Sequence, residues 1–189
     1  MTTKQDLSQA FAALERLQQG NAIYLNSEIS GGDVSPEKRA DTYKNGQHPY
    51  AVVVSCADSR VIPEAIFSAG IGDLFVIRVA GNVVGNYELG SIEYAVEHLG
   101  CKLVLVLGHT GCGAVNAALH QNHGLVKHIT DEIRRAIGTE TNAEKASVMN
   151  VAQSVGKVQN AMSHAKNLLV VGALYHTDSG EVVFLSDER

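Results

Sequence analysis

Four stretches of this chain are apolar on consecutive rather than alternate residues: YAVVVS at 50–55, LFVIRVA at 74–80, KLVLVLG at 102–108 and LLVVGALYH at 168–176. A strand with one wet face alternates apolar and polar residues. A strand covered on both faces reads as a continuous β-branched run, and this is the mark of a parallel sheet between layers of helix. Helical patterns separate the runs: VIPEAIFSAG after the first, ELGSIEYAVEHLG after the second, and CGAVNAALHQ through MNVAQSVGKVQNAMSHA after the third. The alternation predicts an α/β fold with a mostly parallel central sheet of four strands and helices on both faces. A fifth run, EVVFL at 181–185, follows HTDSG. Its Asp-Ser-Gly is turn chemistry, so this run is expected to return as an antiparallel edge strand.

With 189 residues, the length fits a single domain, 1–189. The α/β core is expected over 46–189, preceded by a helical arm and connection over 1–45. In the arm, Leu7, Ala10, Phe11, Leu14 and Leu17 fall at helical spacing and predict an amphipathic helix appended to the core. Residues 26–49 are polar, with Gly-Gly and two prolines, and predict a surface connection with a short helix from Pro36. No apolar run has signal-peptide length at the start, and none reaches the ~18 residues of a membrane span, so a cytoplasmic protein with no membrane partner is expected. The net charge of −5, with 15 Lys and Arg scattered along the chain, argues against nucleic acid. Three cysteines are too few for a disulfide framework and point to core positions, nucleophiles or metal ligands.

The first apolar run ends at Cys56 and the third runs into GHTGCGA, which carries His109 and Cys112. Open α/β sheets hold their sites beyond the carboxyl ends of the strands. If the first and third strands are neighbours, two thiolates and an imidazole converge there. That donor set suits Zn2+ with one tetrahedral corner left open, as in a catalytic site. The third thiol, Cys101, lies eight positions before His109, on the order of 26 Å along a strand, and is expected in the core. Asp58 and Arg60 follow Cys56 closely. A carboxylate there can take the fourth corner itself or, held ionised by the guanidinium, accept a hydrogen bond from solvent at that corner. The adjacent Arg60 favours the second role.

CADSR at 56–60 followed by HTGCGA at 109–114 resembles the β class of carbonic anhydrases. The resemblance extends from LQQGNAIYL at 17–25 through NGQHPY, IFSAGIGDLFVIRVAGN, GSIEYAVEHLG and GALYHTDSGEVVFL. It implies zinc on Cys56, His109 and Cys112, an Asp58–Arg60 dyad, and reversible hydration of carbon dioxide to bicarbonate and a proton by a zinc-bound hydroxide. It further implies that Gln47 hydrogen-bonds substrate or bicarbonate, that Phe75 and Tyr94 line an apolar pocket, and that the backbone N–H of Gly113 faces the site. The glutamine and the aromatics are expected from a neighbouring copy, which makes the protein a homodimer or a multiple of one, with the N-terminal helix reaching across. An inhibitory bicarbonate site found in part of the family uses a tryptophan where this chain has Val53, so that site is not expected. The nearest alternative is a hydrolase of carbonyl sulfide or carbon disulfide using the same zinc on the same fold. A non-catalytic bicarbonate-binding module is the remaining alternative.

Overall fold

The computed structural model describes residues 7–26, 31–120 and 124–185. Its elements follow in the order α1 (Ser8–Asn26), α2 (Pro36–Asn45), β1 (Ala51–Ser55), α3 (Pro63–Ile66), β2 (Leu74–Arg78), α4 (Asn86–Glu97), β3 (Leu103–His109), α5 (Gly113–Ala118), α6 (Lys127–Ile137), α7 (Ala143–Ala161), β4 (Leu169–Tyr175) and β5 (Val182–Phe184). Each apolar run supplies one strand. The sheet order is β2-β1-β3-β4-β5; the first three pairings are parallel and β5 is antiparallel to β4. This is the sheet expected from the continuous apolar runs and the Asp-Ser-Gly turn.

Period-2 geometry sends successive side chains of β1 to opposite faces. Ala51 and Val53 join Leu103, Leu105 and Leu107 in a core covered by α1 and α3. Val52 and Val54 join Val104 and Val106 in a second core under α4 and α7. The chain leaves β1 over one face and returns to β3 over the other, so β1 and β3 are adjacent strands whose connections diverge. That places a crevice at their carboxyl ends.

The N-terminal helix is not an appendage. Leu17 is fully buried against the sheet, and the buried stripe runs through Ala10, Ala13, Leu17, Gly20 and Asn21. Phe11, read as part of the apolar face, is 43% exposed, because the helix is rotated to bring Asn21 inward. The Asn21 amide donates to the carbonyls of Ile66 (3.2 Å) and Gly180 (3.0 Å) and accepts from the Val182 N–H (3.0 Å). One buried side chain thus ties α1 to the end of α3 and to β5. Asn21→Ala is expected to strand three buried backbone groups, each costing about 1–3 kcal/mol, and so to lower stability by ~3 kcal/mol or more in urea unfolding; a loss below 1 kcal/mol would show that water replaces the amide.

The connection after α1 forms α2 where Pro36 marks its start. Ser35 caps it, its Oγ accepting from the Lys38 N–H at 3.1 Å. Strand β2 ends two residues earlier than its apolar run. The chain turns at Arg78 into a 3₁₀ turn, Ala80–Asn82, in which Gly81 has a φ of +71° that a side-chain-bearing residue rarely adopts. Among the described residues no helix is long and apolar enough to cross a membrane.

Candidate metal centre

Ser55 pairs with Leu107 across β1 and β3, so Cys56 and His109 leave the sheet side by side. The tight turn after β3 then carries Cys112 back to the N-cap of α5. All three residues are buried, and their ligand atoms lie within 4.8 Å of one another, forming the one cluster of this kind among the described residues. The adjacency of β1 and β3 therefore unites residues that the sequence separates by more than fifty positions.

The protonation pattern suits a cation. His109 is fully buried, and its Nδ1 lies 2.9 Å from the carbonyl oxygen of Thr110. A carbonyl can only accept, so Nδ1 carries the proton and Nε2 presents a lone pair. Among the described residues that Nε2 has no hydrogen-bond partner, and an orphaned buried acceptor beside two sulfurs is the donor arrangement a zinc ion requires. The backbone N–H groups of Gly81 (3.2 Å) and Asp58 (3.4 Å) donate to Cys56 Sγ. The hydrogen bond from Cys112, with those from the two N–H groups, brings the Cys56 thiol well below its ordinary range. The bond to Cys56 and burial push Cys112 upwards. A divalent cation held between the two sulfurs would ionise both.

Asp58 stands beside this triangle, its Oδ2 3.9 Å from His109 Nε2. Both of its oxygens are engaged by Arg60: Nε donates to Oδ1 at 3.0 Å and Nη2 to Oδ2 at 2.8 Å, and the Arg60 N–H adds a further bond to Oδ1 at 3.0 Å. The Arg60 bonds hold the carboxyl well below the usual carboxylate range. Arg60 Nη2 also donates to the Gly111 carbonyl at 3.1 Å, joining the loop after β1 to the loop after β3. Sequence reasoning missed Arg78. At the end of β2, it donates to the carbonyls of Cys56 (3.2 Å) and Asp58 (2.8 Å) and clamps the backbone that carries both residues. A charged residue closing an otherwise apolar strand was the available signal.

The other site candidates fall elsewhere. Gly113 begins α5 directly after Cys112. Gln47 is exposed in the segment leading into β1, with the whole strand, roughly 17 Å, between it and Cys56. Phe75 pairs with Val52 at the amino end of the sheet, and Tyr94 packs on it with ring centroids 6.2 Å apart. These three lie towards the end of the sheet opposite the metal cluster of their own chain. Cys101 is buried just before β3, its Sγ donating to the Pro49 carbonyl at 3.3 Å, and burial raises its thiol to about 11. It is a core residue, as its distance from His109 predicted.

An α/β sheet whose switch point carries two cysteines, a histidine and an ion-paired aspartate defines a class of protein: one that can hold a metal with three side chains and work beside it with a fixed carboxylate. The chain belongs to the carbonic anhydrase family, in its β class, and is a carbonic anhydrase by that membership. The family model for carbonic anhydrase matches residues 51–182. Carbonic anhydrase 2 of Mycobacterium tuberculosis is 35% identical over 91% of each chain. The carbonic anhydrase of Mycolicibacterium smegmatis is 35% identical over 93% of each. Among solved structures, the Coccomyxa β-carbonic anhydrase in complex with acetazolamide superposes with a TM-score of 0.68 at 29% identity, covering 81% of this chain and 86% of that one.

Proposed function

We propose that this chain catalyses the reversible hydration of carbon dioxide to bicarbonate and a proton, with zinc held by Cys56, His109 and Cys112. The observation that carries this reading is the buried triangle of two sulfurs and an unpartnered imidazole nitrogen, set beside a carboxylate that Arg60 keeps ionised. Zinc bound there would supply a Lewis acid able to lower the pKa of water from ~15.7 towards ~7, a magnitude taken from the histidine-ligated carbonic anhydrase that is the standard example.

The chain's own groups do the rest. An ionised Asp58 can only accept, so a water in the site donates to it and turns its lone pair away from the carboxylate, towards substrate. Carbon dioxide is small and uncharged and asks for an apolar surface, which Phe75 and Tyr94 would provide, while Gln47 and the Gly113 N–H would donate to the oxygens that become bicarbonate.

Because Gln47, Phe75 and Tyr94 lie far from their own metal cluster, the complete site is assembled from two copies of the chain. Edge strand β2, the 47%-exposed Tyr94, and the outward Phe11, Ile23 and Leu25 of α1 supply surface for that contact. Mixing Gln47→Ala chains with Asp58→Asn chains is therefore expected to restore one intact site per mixed dimer, with activity above either parent. Simple averaging of the two parents would show that each chain completes its own site.

The direct test is zinc content together with stopped-flow hydration of carbon dioxide, run beside hydrolysis of carbonyl sulfide and carbon disulfide. One zinc per chain with rapid hydration is expected. A metal-free, inactive purified protein that zinc fails to activate would overturn the proposal.

A further inference from the structure

Helix α7 covers the sheet with Val151 and Val158, yet the same side of the helix buries Ser147, Asn150 and Ser154. Polar groups at such positions cost free energy unless they are hydrogen-bonded, and an apolar residue would cover the sheet better. Two of the three are directed at one short target. Asn150 Nδ2 donates to the Gly81 carbonyl at 2.7 Å, and Ser154 Oγ donates to the Asn82 carbonyl at 3.2 Å. These carbonyls belong to successive peptide groups of the 3₁₀ turn after β2. The N–H on the other side of Gly81 donates to Cys56 Sγ.

The turn has little freedom otherwise. Gly81 is left-handed, and a Cβ on it would come within 2.9 Å of Ile133 and 3.0 Å of Ala114. Asn82 is also left-handed, at φ +45°. Left-handed backbone at a residue with a side chain is unfavourable and persists only where surrounding bonds impose it. The two α7 side chains supply such bonds, beside that of the Asn82 N–H to the Val79 carbonyl at 3.0 Å.

We infer that Asn150, with Ser154 one turn further on, is a positioning residue for the ligand sulfur of Cys56: it locks the 3₁₀ turn so that the Gly81 N–H points at Sγ and sets how strongly that sulfur donates to a bound metal. The inference rests on the metal-centre reading above. A hydrogen bond to a ligating sulfur draws electron density from it, and partners of this kind tune a metal site without touching the metal.

The test uses Asn150→Leu, which keeps the branched skeleton and removes the donor, and reads two signals. In the metal-free protein, the exchange protection of the Gly81 amide is expected to fall about tenfold or more when the turn is released. In the cobalt(II)-loaded protein, the thiolate-to-cobalt charge-transfer band is expected to move to lower energy, because Cys56 becomes the stronger donor. A helix that merely holds the domain together would lower the melting temperature, reduce protection at Gly81 and at other core amides alike, and leave the cobalt band in place. If Asn150→Leu does not fold, Ser154→Ala removes only the neighbouring bond and is expected to shift both signals in the same direction by less. Wild-type values of either signal in a folded variant overturn the inference. A wild-type chain that shows no thiolate-to-cobalt band overturns the metal-centre reading, and the ligand role with it, while Gly81 exchange still reports whether α7 holds the turn.

Discussion

Cys56→Ala is expected to yield a folded protein that retains no zinc and hydrates carbon dioxide at the rate of buffer alone. The substitution removes one buried sulfur and the acceptor of two backbone N–H groups, so its cost to the fold is on the order of 2–4 kcal/mol. Its cost to the metal is far larger. Changes to groups that only support a metal ligand weaken binding ~10- to 100-fold, and here one of the three proposed ligands disappears. The remaining pair, His109 and Cys112, cannot enclose the ion, and the Gly81 and Asp58 N–H groups that had faced Sγ lose their acceptor. Metal analysis, circular dichroism and stopped-flow hydration on one preparation separate loss of metal from loss of fold. His109→Ala should behave alike towards zinc, with a greater penalty in stability because a fully buried ring is lost. Full zinc occupancy in either variant would mean that another group closes the site.

Asp58→Asn should dissociate binding from turnover. The replacement keeps size and planarity, and its carbonyl oxygen can still accept from Arg60, so zinc content is expected to match the wild type. The amide, however, can present a donor where the carboxylate only accepted, and the constraint on the reacting water is lost. Removal of a preorganised polar group of this kind costs ~10²–10³-fold in kcat. The two pH profiles should run parallel between pH 5 and 9. Arg60 holds the Asp58 carboxyl below its ordinary range, so the stabilisation that its charge provides is present above the unfolded carboxylate pKa and is lost only as pH falls through the lower folded value. Asp58 therefore does not titrate in that window. A variant with unchanged kcat would remove Asp58 from the chemistry, and one whose profile differs in shape would make it a titrating group.

The parts of this protein that could be read without coordinates are those in which one local property dictates one outcome. Continuous Val and Leu runs demand cover on both faces, and β1 and β3 are buried throughout, whereas edge strand β2 is only half-buried in the single chain. Cys56 and the His109–Cys112 pair each end such a run, and a parallel sheet has few places to put strand ends. The parts that were hidden depend on which way an element rolls. Phe11 and Asn21 both satisfy a helical stripe, and only the docking of α1 decides that the amide goes inward and the ring outward. Arg78 reaches the Cys56 carbonyl because β2 lies beside β1 in parallel register. Asn150 is about seventy residues from Gly81, and no spacing rule connects a polar residue on a long helix to a sulfur on the far side of a turn. Gln47, Phe75 and Tyr94 came from resemblance alone, and within one chain they look like a loop residue and an aromatic pair at the end of the sheet.

Val151 follows Asn150 on α7 and is wedged between two strands at places that lack side chains: a Cβ on Gly108 would lie 2.5 Å from one of its methyls, and a Cβ on Gly172 would lie 2.7 Å from the other. The helix can ride this low only because neither strand has anything there to hold it off. A single added methyl at Gly108, next to His109 in sequence but making no bond to any ion, would jack α7 away from the sheet and withdraw the Asn150 amide from its carbonyl. Two hydrogen atoms on β3 and β4 thus act as the shim that sets the height of α7 above the sheet, and with it the reach of the Asn150 amide.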